Sequence, residues 1–425
     1  MLQEKVTAYR RDFHKYAESG WREFRTTAKV VEVLRNLGYE VDFGKQVIYR
    51  DSVMGREEED GIKLQMKRAV NQGADPRLVE EMEGYTGAVA TLDTGRPGPV
   101  IALRFDIDAN DVVERKDDGH RPQREGFRSV NDGMMHACGH DGHTAMGLGL
   151  AEVLIKEKDA LSGRIKLIFQ PAEEGVRGAK AMVDKGVLEE VEYFLSGHLG
   201  FNLDTGMFAP RTEGFLSTTK LDVEFMGKGA HAGSNPEEGK NALLAAATAA
   251  LNLHSIPPNS EGVTRINVGI LEAGEGRNVV PPKALLKLET RGETAALNTY
   301  MYQKAVTIME SAAAMYGNRI GFKKMGEAIT VNCDQTLVNW VREAAENLSD
   351  IEQIMDLKHL GGSEDATFMM KAVQDQGGLA TYVFFGANTA AGHHNEGFDF
   401  DEEVLLKGIR LYHRIIETIT QKYMS

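Results

Sequence analysis

The sequence predicts an α/β fold, in which a mostly parallel sheet has helices on both faces and a smaller domain is inserted. Nearly continuous apolar strands alternate with helical segments, which is the order of parallel strands joined by crossover helices. These strands are PVIALRFDI (99–107), GRIKLIFQP (163–171) and YFLSGHL (193–199). At about residue 215 the order changes to β-α-β-β-α-β, which is typical of a ferredoxin-like sandwich.

The larger domain begins with a helical pattern. Apolar residues such as Val6, Phe13 and Val31 recur near the helical period, so we predict a helix across residues 1–40. TGAVATL (86–92) is predicted to be a strand. Two further helices are expected, at TAMGLGLAEVLIKEK and near GAKAMVDKG. They separate the three apolar strands, as a parallel sheet requires.

A charged segment at 50–84 has no strand pattern and resembles a helical insertion, with bounds of about 45–85. Its charge pattern fits a solvated helical excursion, and a cap or a partner surface is the alternative.

The inserted domain is expected at 215–327, and the larger domain at 1–214 and 328–425. The insert contains the strands TTKLDVEFMG, RINVGILEAG, ALLKLETRGE and RIGFKKMG and two helices, NALLAAATAALNLHS and LNTYMYQKAVTIMESAAAMYG. The α/β pattern resumes with NWVREAAENL, LATYVFFG and a long C-terminal helix.

The composition excludes several classes of protein. A chain of 425 residues is long for one core, in agreement with two domains. A net charge of -14 without a basic stripe argues against nucleic-acid binding, and no run reaches the roughly 18 apolar residues of a membrane span. The charged N-terminus lacks a signal-peptide pattern and only two cysteines are present, so we expect a cytoplasmic protein.

Residues able to bind a metal follow four predicted strands or turns of the larger domain. They are Cys138 and His140 in HACGHDGHT, Glu173 and Glu174 in FQPAEEG, His198 at the end of YFLSGHL, and His393 and His394 in AAGHHNEGF. Parallel sheets bind ligands at the carboxyl ends of their strands. Thiolate, imidazole and carboxylate are ligands of zinc and similar ions, and a second carboxylate in the same turn suits proton transfer.

Each of these residues also has an ordinary structural interpretation. A single buried cysteine is usually a small apolar side chain, and two adjacent glutamates usually begin a solvated helix. A histidine at a strand end is usually only hydrogen-bonded. The recurrence at four ends of one sheet favours a metal site over these alternatives.

The chain resembles the metal-dependent aminoacylase and carboxypeptidase superfamily, within its amidohydrolase branch, which includes hippurate and indole-acetyl-amino-acid hydrolases. The motifs that carry the resemblance are HACGHDGHT, FQPAEEGVRGAKAMV, GAHAGSNPEEGKNALLA, GRNVVPPKALLKLETRG, GGSEDA and FGANTAAGHHNEGFDFDEEVL. They occur in order over nearly the whole chain. The resemblance implies a zinc-peptidase-like catalytic domain, with the inserted domain acting as a dimerising lid.

The resemblance also implies the metal site. Cys138, His140, Glu174, His198 and His394 would bind two divalent ions, Mn²⁺ or Zn²⁺, with Glu173 as the general base. The wider superfamily has a His-x-Asp motif on its early strand, where this sequence reads Arg104-Phe105-Asp106. The absent histidine is replaced by the Cys/His pair, and Asp106 either orients a ligand or is a packed, hydrogen-bonded aspartate.

Substrate-binding residues are implied in the inserted domain and near it. His231 in GAHAG would reach the active site of a neighbouring subunit, where it would stabilise the oxyanion. Asn278 and Arg291 would bind the terminal carboxylate of the substrate, for which the planar guanidinium of arginine is suited. Gly361 and Gly362 open a turn whose N–H groups would bind another substrate oxygen.

The activity implied is hydrolysis of an amide between an aromatic or acyl group and an amino acid, with p-aminobenzoyl-glutamate as the expected substrate. A broader N-acyl-amino-acid amidohydrolase or carboxypeptidase is the alternative. The chain is expected to form a homodimer, or a heterodimer with a related subunit on which its activity depends. A structural zinc site is a poor explanation, because such sites usually contain only Cys and His.

Overall fold

The computed structural model describes residues 1–424 and divides into two compact units. The first unit comprises 1–213, 331–360 and 365 onward, and the second comprises 214–330 and 361–364. The predicted fold class, a large α/β sheet with an inserted smaller domain, is confirmed.

The helices and strands follow one another along the chain. The first unit begins with α1 Leu2–Lys15, α2 Phe24–Leu37, β1 Glu40–Phe43, α3 Glu59–Asn71, α4 Pro76–Glu81, β2 Ala88–Asp93, β3 Val100–Asp106, α5 Arg121–Arg124, α6 His140–Lys156, β4 Arg164–Gln170, α7 Ala179–Asp184, β5 Tyr193–Leu199, β6 Met207–Ala209 and β7 Thr212–Glu213. The second unit contains β8 Ser217–Met226, α8 Ala242–Leu253, β9 Thr264–Ala273, β10 Lys283–Gly292, α9 Ala295–Met315 and β11 Arg319–Ala328. The first unit then resumes with α10 Gln335–Glu346, β12 Gln353–Ile354, β13 Lys358–His359, α11 Ala366–Asp375, β14 Leu379–Phe385 and α12 Glu403–Met424.

The first unit is built on an eight-stranded sheet of order β1-β2-β4-β3-β5-β14-β6-β12. Its centre is parallel, with β4 beside β3, β3 beside β5 and β5 beside β14. The strands β1 and β2 on one side are antiparallel to their neighbours. Because the four central strands run in the same direction, their carboxyl ends meet at one edge of the sheet.

Helix α6 packs against its neighbours at positions where glycine leaves no room for a side chain. A Cβ at Gly147 would lie 2.8 Å from ring atoms of Phe105 and Phe169. A Cβ at Gly149 would overlap Ile409 of α12. The helix begins at His140, after Gly139 in the left-handed region (φ 92°). Its first turn therefore lies at the edge where the central strands end.

The prediction of one helix across residues 1–40 is wrong, because two helices are separated by a buried turn. Trp21 in this turn has φ 66°, which no helix allows. The carboxylate of Glu18 accepts hydrogen bonds from the backbone N–H groups of Arg25 (3.2 Å) and Thr26 (2.8 Å). These bonds satisfy free N–H groups in the first turn of α2 and so stabilise a new helix start after the turn.

The inserted segment (residues 50–84) is not a solvated excursion, so that interpretation is wrong. Its apolar residues belong to the main hydrophobic core of the first unit, namely Ile62, Ala69, Ala74, Leu78, Val79 and Met82. The charged residues of α3 and α4 occupy the opposite faces of two amphipathic helices. The many charged residues therefore made the segment resemble a solvated one, although its apolar residues form a buried stripe.

The second unit is a ferredoxin-like sandwich. Its sheet order is β11-β8-β10-β9, and each neighbouring pair is antiparallel. Helices α8 and α9 pack on the sheet around a core that includes Val223, Ala246, Leu286 and Met309.

Among residues 1–424, no helix is both long enough and apolar enough to cross a lipid bilayer.

The burial of α3 leads to a prediction about stability. Ile62 is 1% exposed and Leu64 on the same helix is 64% exposed. We expect Ile62→Ala to lower the free energy of unfolding by about 2–4 kcal/mol, because it leaves a cavity. Leu64→Ala, the matched control, should change it by less than about 0.5 kcal/mol. Denaturant titration measures both, and equal effects would contradict the docking of this helix.

Candidate metal centre

Six residues from four loops bring their donor atoms together at the carboxyl ends of the central strands. Within each of three overlapping groups, the donor atoms lie within 4.8 Å of one another. The groups are Cys138–His140–His198, Cys138–Glu174–His394 and His140–Glu173–Glu174. The five predicted metal ligands and the predicted general base are therefore neighbours in the first unit.

Backbone carbonyls orient two of the imidazoles. Nδ1 of His140 donates to the carbonyl oxygen of Asp108 at 2.9 Å, and Nδ1 of His198 donates to the carbonyl oxygen of Leu199 at 2.8 Å. In a neutral imidazole, these bonds leave the Nε2 lone pair free to bind a metal. Nε2 of His198 lies 3.3 Å from Sγ of Cys138.

The turn that carries Glu173 and Glu174 (residues 172–176, the glutamate turn) has an unusual backbone conformation. Ala172 (φ 52°), Gly175 (φ 89°) and Val176 (φ 59°) all lie in the left-handed region, which costs free energy for residues with a side chain. The surroundings stabilise this turn. The Asp108 carboxylate accepts the N–H of Glu173 (3.1 Å) and of Glu174 (2.9 Å).

His394 reaches the cluster from the loop after β14. Its own φ is 65°, and its N–H donates to the carbonyl oxygen of Ala137 at 2.7 Å. That bond joins the loop to the segment just before Cys138. Nε2 of His394 lies 3.3 Å from Oε1 of Glu174, and the imidazole is 58% exposed. His394 is thus the most accessible member of the cluster.

The electrostatics of the cluster favour a cation. Burial disfavours the charged form of His140, yet the carboxylates of Asp106, Asp108 and Glu174 raise its pKa to about 10. Burial, together with the charges of Glu174 and Glu173, raises the pKa of the Cys138 thiol. The shift of His140 and the carboxylate contribution to the shift of Cys138 both report an excess of negative charge that a bound cation would offset.

The donor set fits a divalent metal ion. Sulfur, imidazole nitrogen and carboxylate oxygen are present together, as zinc and related ions require. Nε2 of His140 is buried and has no hydrogen-bond partner among the described residues. A buried nitrogen without a partner destabilises the fold unless a ligand binds it.

Asp106, at the end of β3, and Asp108, two residues beyond it, make different contacts. Asp106 accepts from Nδ1 of His143 (2.5 Å) and from Nη1 of Arg104 (2.7 Å). Although burial alone would raise the pKa of Asp106, His140, His143 and Arg104 hold it well below its usual range. The direct contacts to His140 and to the glutamate turn are made by Asp108. Of the two aspartates, Asp108 is therefore the one in direct hydrogen-bond contact with the cluster, and the orienting role of Asp106 stays a prediction.

The sequence analysis did not identify Asp108 or Glu23. Glu23 is buried, and its carboxylate accepts the N–H of Ala172 (2.8 Å) and the hydroxyl of Thr86 (2.7 Å). A signal for Asp108 was present, because RFDIDAN places a second carboxylate two residues beyond the end of an apolar strand. No local pattern distinguishes Glu23 from a surface glutamate.

The remaining predicted site residues belong to the second unit. The segments that contain His231 and Asn278 are paired, since the N–H of Ala232 donates to the Asn278 carbonyl (3.0 Å). The guanidinium of Arg291 is 31% exposed and donates to both carboxylate oxygens of Glu289, at 2.8 and 3.2 Å. Gly362 accepts the N–H of Leu216 (2.7 Å), and helix α11 begins only at Ala366.

Comparison with known proteins places this geometry in a family. Residues 102–418 match the model of peptidase family M20/M25/M40. The chain is 51% identical over 406 residues to a subunit of p-aminobenzoyl-glutamate hydrolase from Escherichia coli (strain K12), covering 95% of this chain and 93% of that protein. It is 52% identical to indole-3-acetyl-aspartic acid hydrolase of Enterobacter agglomerans, with the same coverage.

The chain belongs to peptidase family M20/M25/M40. Among solved structures, the aminobenzoyl-glutamate utilization protein of Klebsiella pneumoniae is similar, with a TM-score of 0.85, 45% identity, and coverage of 97% of this chain and 95% of that one. A protein of Bacillus subtilis described as a dinuclear metal-binding peptidase of the M20 family has a TM-score of 0.67, 25% identity and 99% coverage of both chains. As a member of this family, this chain is a metal-dependent hydrolase.

The contacts of Asp108 lead to a prediction. Asp108→Asn replaces one accepting oxygen by an amide that donates, so one N–H of the glutamate turn loses its partner. We expect the free energy of unfolding to fall by about 1–3 kcal/mol and metal affinity to fall by roughly 10- to 100-fold. Asp111→Asn, at an exposed position nearby, is the control. Chelator competition measures the affinity, and equal affinities in the two variants would argue against this role.

Proposed function

We propose that this enzyme hydrolyses the amide bond of p-aminobenzoyl-glutamate to p-aminobenzoate and glutamate. The observation that supports the chemistry is the convergence of a thiol, three imidazoles and a carboxylate next to Glu173. The substrate is suggested by the names of two relatives, the hydrolase from Escherichia coli and the utilization protein from Klebsiella pneumoniae.

In this proposal, Cys138, His140, Glu174, His198 and His394 hold two divalent ions. When bound, such ions polarise the scissile carbonyl and lower the pKa of water toward neutrality. The mixed donor set accepts Zn²⁺ or Mn²⁺. Elemental analysis of protein purified without added metal, paired with an activity titration, distinguishes the two.

Glu173 is the proposed general base. Its carboxylate lies beside His140, with Oε2 of Glu173 4.0 Å from Nε2 of His140. Glu173 accepts a proton from the attacking water and then delivers a proton to the leaving nitrogen. Asp108 maintains the geometry of this turn, and Asp106 acts through His143 as a positioning residue.

The second unit supplies the proposed substrate contacts. Nδ1 of His231 accepts the N–H groups of Gly233 and Ser234, both at 3.1 Å. A neutral His231 therefore carries its proton on Nε2, where it can donate to an oxyanion in the active site of a partner subunit. Asn278 and Arg291 bind the terminal carboxylate of the substrate, and Gly362 offers a backbone N–H.

The second unit is also the proposed dimerisation surface. Strand β9 is at the edge of its sheet, and Ile270 and Leu271 are 42% and 41% exposed there. An apolar strand with an unpaired edge favours pairing with a second copy or a related subunit. Sedimentation of the chain alone, and of a mixture with a related subunit, distinguishes a homodimer from a heterodimer.

A second candidate substrate is indole-3-acetyl-aspartate, because the relative named for it is 52% identical to this chain. An aromatic acyl group joined to an acidic amino acid is common to both substrates. Assays with p-aminobenzoyl-glutamate, indole-3-acetyl-aspartate, hippurate and dipeptides distinguish them. Turnover that requires an added related subunit would show that the chain is active only with its partner.

We propose the cytoplasm as the location, because metal binding requires Cys138 as a free thiol and both cysteines are free. Cell fractionation tests this.

The proposed base leads to a prediction. Glu173→Gln keeps the shape of the side chain and removes its proton acceptor, so we expect kcat to fall by roughly 100- to 10,000-fold while the metal content stays the same. Glu190→Gln, on the surface beside Arg164, should retain kcat. Steady-state kinetics and elemental analysis measure both quantities. Turnover near the wild-type value in Glu173→Gln would remove the base assignment.

The proposed carboxylate contact leads to another prediction. Arg291→Ala removes a charged donor to the substrate, so we expect KM to rise by roughly 10- to 100-fold, about 1.5–3 kcal/mol of binding free energy, with a smaller change in kcat. Arg319→Ala, at an exposed position on β11, is the control. An unchanged KM in Arg291→Ala would contradict the carboxylate-binding role.

A further inference from the structure

Arg177 connects the glutamate turn to the inserted segment (residues 50–84). Its Nε donates to the carbonyl oxygen of Glu174 at 2.9 Å. Its Nη1 donates to the carbonyl oxygen of Gly55 at 3.2 Å. One rigid guanidinium therefore joins the backbone of Glu174, a proposed metal ligand, to the backbone of Gly55, which lies more than a hundred residues earlier in the chain.

The inserted segment is itself anchored where it meets Arg177. Nε1 of Trp21 donates to the carbonyl oxygen of Met54 at 2.7 Å, and both residues are buried. Arg22 pairs with Glu57 in the same stretch. The Gly55 carbonyl is thus held between two fixed contacts, and it gives the Arg177 side chain a defined direction.

The space around Arg177 is tightly limited. A Cβ at Gly20 would overlap Nη2 of Arg177 and would lie 3.1 Å from Cα of Ala172. A side chain at position 20 would therefore displace the guanidinium from its place between the Trp21 turn and the glutamate turn. Arginine suits this position because its fork donates in two fixed directions, whereas a lysine ammonium is a single point donor that can replace only part of these contacts.

The glutamate turn needs such support. Three of its residues have left-handed backbone conformations, and conformations of this kind persist only where several contacts determine them. Asp108 and Glu23 bind its N–H groups. Arg177 binds a carbonyl of the turn through its side chain, and its own N–H donates to the Ala172 carbonyl at 3.0 Å.

We propose that Arg177 is a positioning residue through which the docked inserted segment sets the geometry of Glu173 and Glu174. This inference rests on the proposed function, because it assigns the turn to the catalytic centre. It gives the inserted segment a role in the reaction, without any contact between that segment and the substrate.

Three variants test this role in the full-length, metal-loaded enzyme. Arg177→Met keeps much of the side-chain volume and removes both donors, so we expect kcat to fall by roughly 10- to 100-fold with KM changed much less. Arg177→Lys should recover part of kcat, and millimolar guanidinium should recover part of it in Arg177→Met. Arg77→Met is the matched control, because Arg77 is exposed and pairs with Asp75 on the surface.

Hydrogen exchange provides a readout that does not depend on activity. In Arg177→Met, amides in 53–57 and in 172–177 should both exchange faster than in the wild type, whereas Arg77→Met should change neither segment. Unchanged exchange in either segment would overturn the coupling. So would a wild-type kcat in Arg177→Met, or a loss of kcat that neither lysine nor guanidinium restores.

Failure of the proposed function gives a different result. If the wild type hydrolyses another N-acyl amino acid in place of p-aminobenzoyl-glutamate, the same kinetic comparison is made with that substrate. If it hydrolyses none of the panel, the proposed function fails, and the exchange of the two segments still decides whether Arg177 couples them.

Discussion

The backbone turn from Ala172 to Val176 is the constraint on which the candidate metal centre depends. It places Glu174 among the proposed ligands and Glu173, the proposed base, beside them. Three positions of the turn have left-handed backbone conformations. Its stability comes from charged side chains that bind backbone groups, above all Asp108. Because Asp108 also orients His140 through its carbonyl, one residue connects two of the four loops of the site.

Negative charge is concentrated where the central strands end. Carboxylates that surround His140 raise its pKa to about 10 in spite of burial. Burial, and after it the carboxylates of the same cluster, raise the pKa of Cys138 and so disfavour its ionisation. A buried cluster of this sign is stable only when protons or cations offset the charge. The fold thus favours metal binding through its charge as well as through the identity of its donors.

The inserted segment shows how a peripheral element becomes part of a site. Its apolar stripe completes the core of the first unit, and its loop at Met54 and Gly55 meets Trp21 and Arg177. Burial stabilises the segment, and the polar contacts give it a fixed register. The glutamate turn, with its strained backbone, is supported from this side as well as by the sheet.

The sequence by itself determined the fold class, the ferredoxin-like insert and the cluster of Cys138, His140, Glu173, Glu174, His198 and His394. The strand period, the position of a residue at a strand end and the chemical type of its side chain are local properties, so they can be recognised from the sequence. Only the tertiary structure decided that the helix predicted at 1–40 breaks at a buried turn, that residues 50–84 enter the core, and that Asp108, Glu23 and Arg177 hold the glutamate turn. These features depend on hydrogen bonds between residues far apart in the chain, and a buried glutamate or arginine looks the same in sequence as a solvated one.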